Sequence, residues 1–127
     1  MASIKPVGVA SVGIDVEEIA RFKLDRKHHF ITSYFTEEEC DYAYSRPRPE
    51  QHLCGFFCAK EALRKAGIKA PYKEISIGHD VSGKPFVLLL HKAGKAGSKN
   101  LNRAKRVSIS ISHAKGIATA IALIQGE

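Results

Sequence analysis

Two acidic residues in separate segments are the strongest candidates for chemistry in this chain. Asp15 follows an apolar, strand-like run, and Glu61 lies in a helical segment with Lys65 four residues later. Residues at positions i and i+4 project from the same face of a helix, so Glu61 and Lys65 are neighbours. Two carboxylates beside an ammonium group suit a Mg²⁺ ion that holds a phosphate-bearing substrate. The combination predicts phosphoryl transfer.

Each of these residues also has an ordinary structural interpretation. An aspartate at the end of a strand is commonly a turn or cap residue. Glu61 and Lys65 alone form a helix-surface pair that stabilises a helix by only about 0.2–0.5 kcal/mol. The chemical interpretation therefore depends on the motifs around these residues.

Composition limits the classes of protein to consider. The 127 residues include 44% hydrophobic and 26% charged residues, and the net charge is +7. This is typical of a globular protein, and we expect one domain over residues 1–127. The positive charge predicts an anionic partner. Because tryptophan is absent and the aromatic residues cluster in helix-like stretches, a phosphorylated cofactor or an acidic protein is favoured over nucleic acid.

The apolar segments and the cysteines indicate a cytoplasmic location. The longest apolar runs are too short to cross a bilayer, so no membrane partner is expected. The first residues lack the architecture of a signal peptide. Cys54 and Cys58 are four residues apart, which matches none of the usual zinc spacings. We expect reduced, packed thiols.

Local patterns predict the helices that must position the candidate residues. Thr36 and Glu39 form a capping-box pattern that begins a helix ending near Ser45. A longer helix is predicted over residues 50–66, and Gly67 suits its C-terminal end. Its predicted core-facing residues are Phe56, Ala59, Leu63 and Ala66.

Strand-like patterns lie before and after these helices. Extended runs are predicted over residues 7–16, 74–79, 84–90, 107–112 and 116–124. Residues 17–27 predict a short helix or helical loop, and residues 92–106, rich in glycine and basic residues, a loop with at most a short helical turn. The sequence therefore predicts an α+β fold, in which an antiparallel sheet packs against a long central helix.

Five short motifs occur in a fixed order along the chain. They are Gly13-x-Asp15 with Arg21 six residues after the aspartate, Phe35-Thr36-x-x-Glu39, Ala59-Lys60-Glu61-Ala62-x-x-Lys65-Ala66, Gly83-Lys84-Pro85 and Ser110-Ile111-Ser112-His113. In this order, and over roughly residues 8–124, the chain resembles holo-acyl-carrier-protein synthase, the short type of 4′-phosphopantetheinyl transferase.

The resemblance implies a reaction and a catalytic site. Members of the family transfer the 4′-phosphopantetheine arm of coenzyme A to a serine of an apo acyl carrier protein and release adenosine 3′,5′-bisphosphate. By resemblance, Asp15 and Glu61 are Mg²⁺ ligands, Lys65 contacts the phosphates, and Glu61 and Lys65 are catalytic. Proteins of this size in the family usually form trimers with active sites shared between neighbours, so a homotrimer is expected.

The resemblance also implies two binding segments. The residues that match coenzyme A contacts are Lys65, Ser82, Gly83, Lys84, Pro85, Ser112 and His113. Arg21 matches a basic residue that meets the carrier protein. Lys23 and Arg26 lie in the same short segment, and we expect all three to face an acidic carrier protein.

Departures from the family pattern keep two alternatives open. Phe56 stands where many relatives have arginine, Ser82 where asparagine is common, and Ala114 where threonine is common. One alternative is a relative that binds coenzyme A or carrier protein without transfer, and the other is a non-catalytic basic module that binds nucleic acid. The base is either Glu61 or a metal-bound water, and Glu17 is a candidate third ligand because it alternates onto the same side as Asp15.

Overall fold

The computed structural model describes residues 9–91, 94–104 and 106–126, and these residues form six strands and four α-helices. The strands are β1 (Val9–Glu18), β2 (Ile75–His79), β3 (Pro85–His91), β4 (Gly94–Asn100), β5 (Val107–Ala114) and β6 (Ile117–Gln125). The helices are α1 (His29–Tyr34), α2 (Glu37–Tyr44), α3 (Pro49–Lys65) and α4 (Leu101–Ala104), with 3₁₀ turns at Ile19–Phe22 and Tyr72–Glu74.

The strands form two antiparallel sheets of three strands each. The order is β1-β6-β5 in the first sheet and β2-β3-β4 in the second. In the first sheet Asp15 lies opposite Ala120, and Ile14 lies opposite Ile121. The predicted α+β fold with antiparallel pairing is confirmed, and the strands divide between two sheets.

Helix α3 packs across the first sheet and forms the centre of the core. Pro49 occupies its first turn, where the missing N–H has no intrahelical partner to lose. The predicted stripe of Phe56, Ala59, Leu63 and Ala66 is buried, as expected for a core-facing row. The cysteines are buried free thiols, also as predicted.

The first sheet comes closest to α3 at Gly13. A Cβ atom on Gly13 would lie 1.9 Å from the carbonyl oxygen of Ala62, so only glycine permits this approach. Ser11, two residues earlier, donates its hydroxyl hydrogen to the carbonyl of Ala66 at 2.6 Å. Because side chains alternate along a strand, Asp15 lies on the same helix-facing side as Gly13.

The capping box at the start of α2 is confirmed. The Glu39 amide donates to Thr36 Oγ1 at 3.2 Å, and the Thr36 amide donates to Glu39 Oε1 at 2.9 Å. The two bonds satisfy two amides that the helix itself cannot pair.

Glu39 also forms a buried ion pair with Lys60 of α3. The Lys60 Nζ to Glu39 Oε1 distance is 2.7 Å, and both side chains are 0% exposed. Lys60 Nζ donates further to the carbonyls of Tyr34 and Tyr72, each at 2.9 Å, and the Ile77 amide donates to Glu39 Oε2 at 2.8 Å. Burial raises the pKa of Glu39 and lowers the pKa of Lys60, while the ion pair opposes both shifts.

The prediction of a loop over residues 92–106 is wrong for residues 94–100. Residues Gly94–Asn100 form β4, in which Lys99 pairs with Leu89 and Asn100 pairs with Leu88 of β3. Glycine and lysine have low intrinsic strand propensity, but the unpaired edge of β3 supplies backbone hydrogen-bond partners. The short helical turn is confirmed as α4, and residues 92, 93 and 105 lie outside the described residues, as do residues 7 and 8 of the first predicted strand.

The N-terminal boundaries differ slightly from prediction. Strand β1 continues through Glu18, and the helical part of the predicted segment 17–27 is the 3₁₀ turn at Ile19–Phe22. None of the helices in the described ranges combines the length and apolar character needed to span a bilayer.

Removing one partner of the buried ion pair tests its structural role. Lys60→Met leaves the Glu39 carboxylate buried without its cation, so the free energy of unfolding should fall by about 3–5 kcal/mol in urea denaturation. Lys69→Met, at an exposed position four residues after the helix, should change the free energy of unfolding by less than about 0.5 kcal/mol. Equal stability of the two variants would contradict this role.

Candidate active site

The fold brings Asp15 and Lys65 together from segments 50 residues apart. Lys65 Nζ donates to Asp15 Oδ1 at 3.1 Å and to the carbonyl of Ile14 at 3.0 Å. The Asp15 side chain is 9% exposed, whereas that of Lys65 is 54% exposed. The ammonium group is therefore hydrogen-bonded to β1 and is still accessible to an anion from solvent.

One oxygen of Asp15 has no partner among the described residues. Asp15 Oδ2 is buried and accepts no hydrogen bond there. An unpaired carboxylate oxygen in a buried position is costly, and a bound cation removes that cost. The hard oxygen donors at this position are those that Mg²⁺ prefers, so the residues present fit the metal.

Glu17 lies close to Asp15 and within the electrostatic influence of Glu61. Burial raises the pKa of Glu17, and its contact with Asp15 and the negative charges of Asp15 and Glu61 raise it further, while Arg21 opposes the shift. Glu17 also forms an ion pair with Arg21. Asp15 and Glu61 therefore both disfavour a negative charge on Glu17, and a divalent cation would relieve that repulsion.

The acidic groups do not form a complete metal cage by themselves. Within the described ranges, no three or more His, Cys, Asp or Glu side chains are arranged to hold a metal ion. Mg²⁺ usually keeps several waters and binds one or two carboxylates together with substrate phosphates. One or two carboxylates are therefore enough, the pair of Asp15 and Glu61 stays a prediction, and the described residues do not place Glu17 as a third ligand.

Glu61 is held by a residue that sequence analysis did not identify. The hydroxyl of Tyr72, on the 3₁₀ turn after α3, donates to Glu61 Oε1. Burial raises the pKa of Tyr72 to about 12, and the hydrogen bond to Glu61 and the negative charge of Glu61 contribute to the rise. The hydroxyl therefore stays protonated at neutral pH and remains a donor.

A cleft of about 220 Å³ lies between α3, β5 and the β2–β3 turn. Its lining residues are Tyr42, Gln51, His52, Gly55, Phe56, His79, Gly83, Ile111 and His113. The cleft thus joins Gly83 and His113, which were predicted as coenzyme A contacts, to an aromatic and imidazole wall that was not predicted.

The wall of this cleft suits a flat ring beside an anion. Tyr42 and His79 stack with centroids 4.6 Å apart and an interplanar angle of 16°, and the Arg46 guanidinium lies 3.5 Å from the Tyr42 centroid. Burial lowers the pKa of His52 and of His79, and the charge of Arg46 lowers both further. The imidazoles of His52 and His79 are therefore uncharged at neutral pH, and His79 Nδ1 is buried without a partner among the described residues.

Of the other predicted coenzyme A contacts, Lys65 lies beside Asp15, and Ser82, Lys84 and Pro85 lie on or next to the turn that contains Gly83. Asp80 accepts hydrogen bonds from the Ser82 amide and hydroxyl and from the Lys84 amide, so the Ser82 side chain serves the turn. The hydrogen bond from Ser82 lowers the pKa of Asp80. Gly83 has a φ of 88°, which favours glycine, and Pro85 begins β3.

Ser112 and His113 lie on opposite faces of β5. Ser112 is exposed opposite Thr119, whereas His113 lies opposite Ala118 and reaches the cleft. Consecutive strand residues point to opposite faces, so the Ser112 side chain points away from the cleft that His113 lines.

The three predicted carrier-protein contacts differ in their surroundings. Arg21 is ion-paired with Glu17 beside the acidic site, and Lys23 is exposed. Arg26 Nη2 lies 2.6 Å from Asp41 Oδ1 and 3.3 Å from a Glu37 carboxylate oxygen, so two carboxylates offset its charge. Because Arg21 and Arg26 are paired with carboxylates, the segment after β1 carries less unpaired positive charge than its sequence indicates.

Comparisons with known proteins identify the family. A profile of the 4′-phosphopantetheinyl transferase superfamily matches residues 11–122. The chain belongs to this superfamily. It is 36% identical to a holo-[acyl-carrier-protein] synthase of Clostridium perfringens, in an alignment that covers 94% of this chain and 96% of that protein. The resemblance inferred from the ordered motifs and the assignment as an enzyme are confirmed.

Solved structures of superfamily members have the same fold. The holo-(acyl-carrier-protein) synthase of Bacillus anthracis in complex with CoA (3′,5′-ADP) gives a TM-score of 0.73 at 27% identity, covering 94% of this chain and 99% of that chain. The corresponding synthase of Neisseria meningitidis gives 0.73 at 28% identity, covering 93% and 99%. These matches confirm the α+β fold for this transferase.

Proposed function

We propose that this transferase moves the 4′-phosphopantetheine group of coenzyme A to a serine hydroxyl of an apo acyl carrier protein in the cytoplasm. The serine oxygen forms a bond to the phosphorus that carries pantetheine, and the P–O bond to the nucleotide phosphate breaks. The serine proton passes to a base, and adenosine 3′,5′-bisphosphate leaves. The observation that carries the proposal is the buried Oδ2 of Asp15, which has no partner among the described residues and lies beside Lys65, in a member of this superfamily.

Asp15 and Glu61 are the residues that would hold Mg²⁺. When bound, Mg²⁺ supplies positive charge that neutralises the diphosphate and stabilises the leaving bisphosphate. Lys65 adds a second positive charge, and its bond to the Ile14 carbonyl holds the ammonium in place before substrate arrives. We assign Glu61 as the residue that receives the serine proton because it is less buried than Asp15, whose Oδ1 already accepts from Lys65.

The aromatic and imidazole cleft is the proposed site for the nucleotide end of coenzyme A. The stacked Tyr42 and His79 rings suit an adenine, and His52 and His113 can bond phosphate oxygens. Phe56 supplies no charge at the position where many relatives have arginine. Positive charge near this subsite would come from Arg46, beside Tyr42, and from Lys84 on the β2–β3 turn, with Ser82, Pro85 and Ser112 retained as predicted contacts.

An incubation with the intact carrier protein tests the reaction directly. Apo acyl carrier protein, coenzyme A and Mg²⁺ with wild-type enzyme should yield carrier protein heavier by one phosphopantetheine group in mass spectrometry. Asp15→Asn and Glu61→Gln should each lower the rate at least about 100-fold, because each removes a charge that stabilises the transition state.

The control for these variants is Glu18→Gln, at an exposed position at the end of β1. It should retain the wild-type rate, and all three variants should retain the wild-type circular dichroism spectrum. EDTA should stop the wild-type reaction and added Mg²⁺ should restore it. Full turnover by Asp15→Asn or Glu61→Gln would refute the metal assignment.

A homotrimer is proposed from the family resemblance and supported by one face of the first sheet. The exposed fractions of Val12, Ile14 and Val16 on β1 are 53%, 61% and 58%, and Ile117 and Ile121 on β6 are also exposed. Val12 and Ile14 lie directly across from Leu123 and Ile121, so the apolar residues form continuous rows. A contiguous apolar surface of this kind is usually covered by a partner, here by further copies of the chain.

A charge placed in these rows should disrupt the trimer. Sedimentation equilibrium should give three times the chain mass of 13.9 kDa for wild type and a lower mass for Ile14→Lys, because the new charge would be buried between subunits. Val81→Lys, at a fully exposed turn residue, should remain trimeric. A wild-type mass near that of a single chain would contradict the proposal.

The segment that contains Arg21, Lys23 and Arg26 is the proposed docking face for the acidic carrier protein. Arg21 and Lys23 are the stronger candidates, because Arg26 is already paired with two carboxylates of α2. Basic groups next to the acidic site would attract the carrier and orient its serine towards the diphosphate.

Charge reversal at Lys23 tests this docking face without breaking the Arg21–Glu17 pair. Lys23→Glu should raise the KM for carrier protein by about tenfold or more and leave the KM for coenzyme A nearly unchanged, and Arg21→Glu should act in the same direction. Wild-type kcat/KM for carrier should fall as salt increases. Lys69→Glu, an exposed reversal elsewhere, is the matched control, and equal effects of both reversals would place docking elsewhere.

A further inference from the structure

Tyr72 connects the candidate catalytic carboxylate to the core of the protein. Its hydroxyl donates to Glu61 Oε1, and the two residues lie on different elements, the 3₁₀ turn Tyr72–Glu74 and helix α3. Glu61 is only partly buried. Without this bond the carboxylate would be free to rotate about its terminal torsion, which is broad in glutamate.

The ring of Tyr72 is fixed by three neighbours. It stacks on Phe57 with centroids 5.8 Å apart and an interplanar angle of 2°, and it meets Tyr34 edge-on at 4.8 Å. The guanidinium of Arg64 lies 4.9 Å from the centre of the ring. The hydroxyl oxygen therefore has a defined position before any ligand binds.

The backbone of Tyr72 is fixed as well. Its carbonyl accepts a hydrogen bond from Lys60 Nζ at 2.9 Å, and that ammonium group is fully buried in its ion pair with Glu39. Both ends of the residue are thus tied to α3, one to Lys60 and the other to the adjacent Glu61. The turn cannot move away from the helix without breaking a buried, charge-assisted bond.

We propose that Tyr72 is a positioning residue, which holds Oε1 of Glu61 and thereby orients the carboxylate for a divalent cation shared with Asp15. A carboxylate that is already ordered loses less conformational entropy when it binds. Hydrogen-bonded partners of metal ligands commonly contribute about 10–100-fold in metal affinity or activity. The inference depends on the proposed function only in its use of Glu61 as a ligand.

The test uses Tyr72→Phe, which retains the ring and its stacking and removes only the hydroxyl. Binding of Mn²⁺ is measured by electron paramagnetic resonance on intact protein with saturating coenzyme A and no carrier protein, so the readout does not depend on turnover. The dissociation constant for Mn²⁺ should rise about tenfold or more. The Mg²⁺ concentration that half-activates transfer should rise in parallel, while the KM for carrier protein stays near the wild-type value.

Tyr34→Phe is the matched control, because it removes a hydroxyl from the ring that packs edge-on against Tyr72. Its Mn²⁺ affinity should stay within about twofold of wild type, and the urea midpoints of both variants should show that each is folded. An unchanged Mn²⁺ affinity in Tyr72→Phe, or equal losses in both variants, would overturn the proposal.

Glu61→Gln separates failure of this inference from failure of the proposed function. If Glu61→Gln weakens Mn²⁺ binding and Tyr72→Phe does not, the positioning role is refuted and Glu61 stands as a ligand. If neither substitution weakens binding, both the positioning role and the metal assignment are refuted.

Discussion

The buried ion pair between Glu39 and Lys60 is the interaction on which the rest of the structure depends. Two charges removed from water are costly unless every donor and acceptor finds a partner. Here the carbonyls of Tyr34 and Tyr72 and the amide of Ile77 complete the set. Because these partners come from α1, the turn after α3 and β2, satisfying both charges requires all three to be held against α2 and α3. The second sheet is thereby held against the helix that carries the candidate catalytic residues.

A second constraint, of shape rather than charge, sets the position of the acidic site. Strand β1 can approach α3 at Gly13 only because glycine has no Cβ, and Asp15 then faces the helix two residues later. Glu61 follows Lys60 directly on α3, so the residue that anchors the core and the residue proposed for catalysis share one rigid segment. A side chain at position 13 would push β1 away from α3 and would therefore move Asp15 relative to Glu61.

Charge is distributed unevenly in this basic protein, and the distribution suits the proposed reaction. A net charge of +7 attracts anionic substrates from a distance, whereas the proposed site is locally acidic. Asp15 and Glu61 both repel the charge of Glu17, whereas Lys65 pairs with Asp15. A cation that enters with a phosphorylated ligand would therefore be bound more favourably than either component alone.

The sequence by itself determined the features that neighbouring residues encode. The capping box at Thr36 and the long helix were predictable, because caps and periodicity are local. Asp15 and Glu61 were identified as candidates because they lie in short motifs, which are local as well. Only the tertiary structure decided that Gly94–Asn100 pairs as a strand, and that Tyr72 reaches Glu61. Those outcomes depend on which backbone edge or side chain remains without a partner after packing. That depends on contacts between residues distant in the chain, which no local pattern encodes.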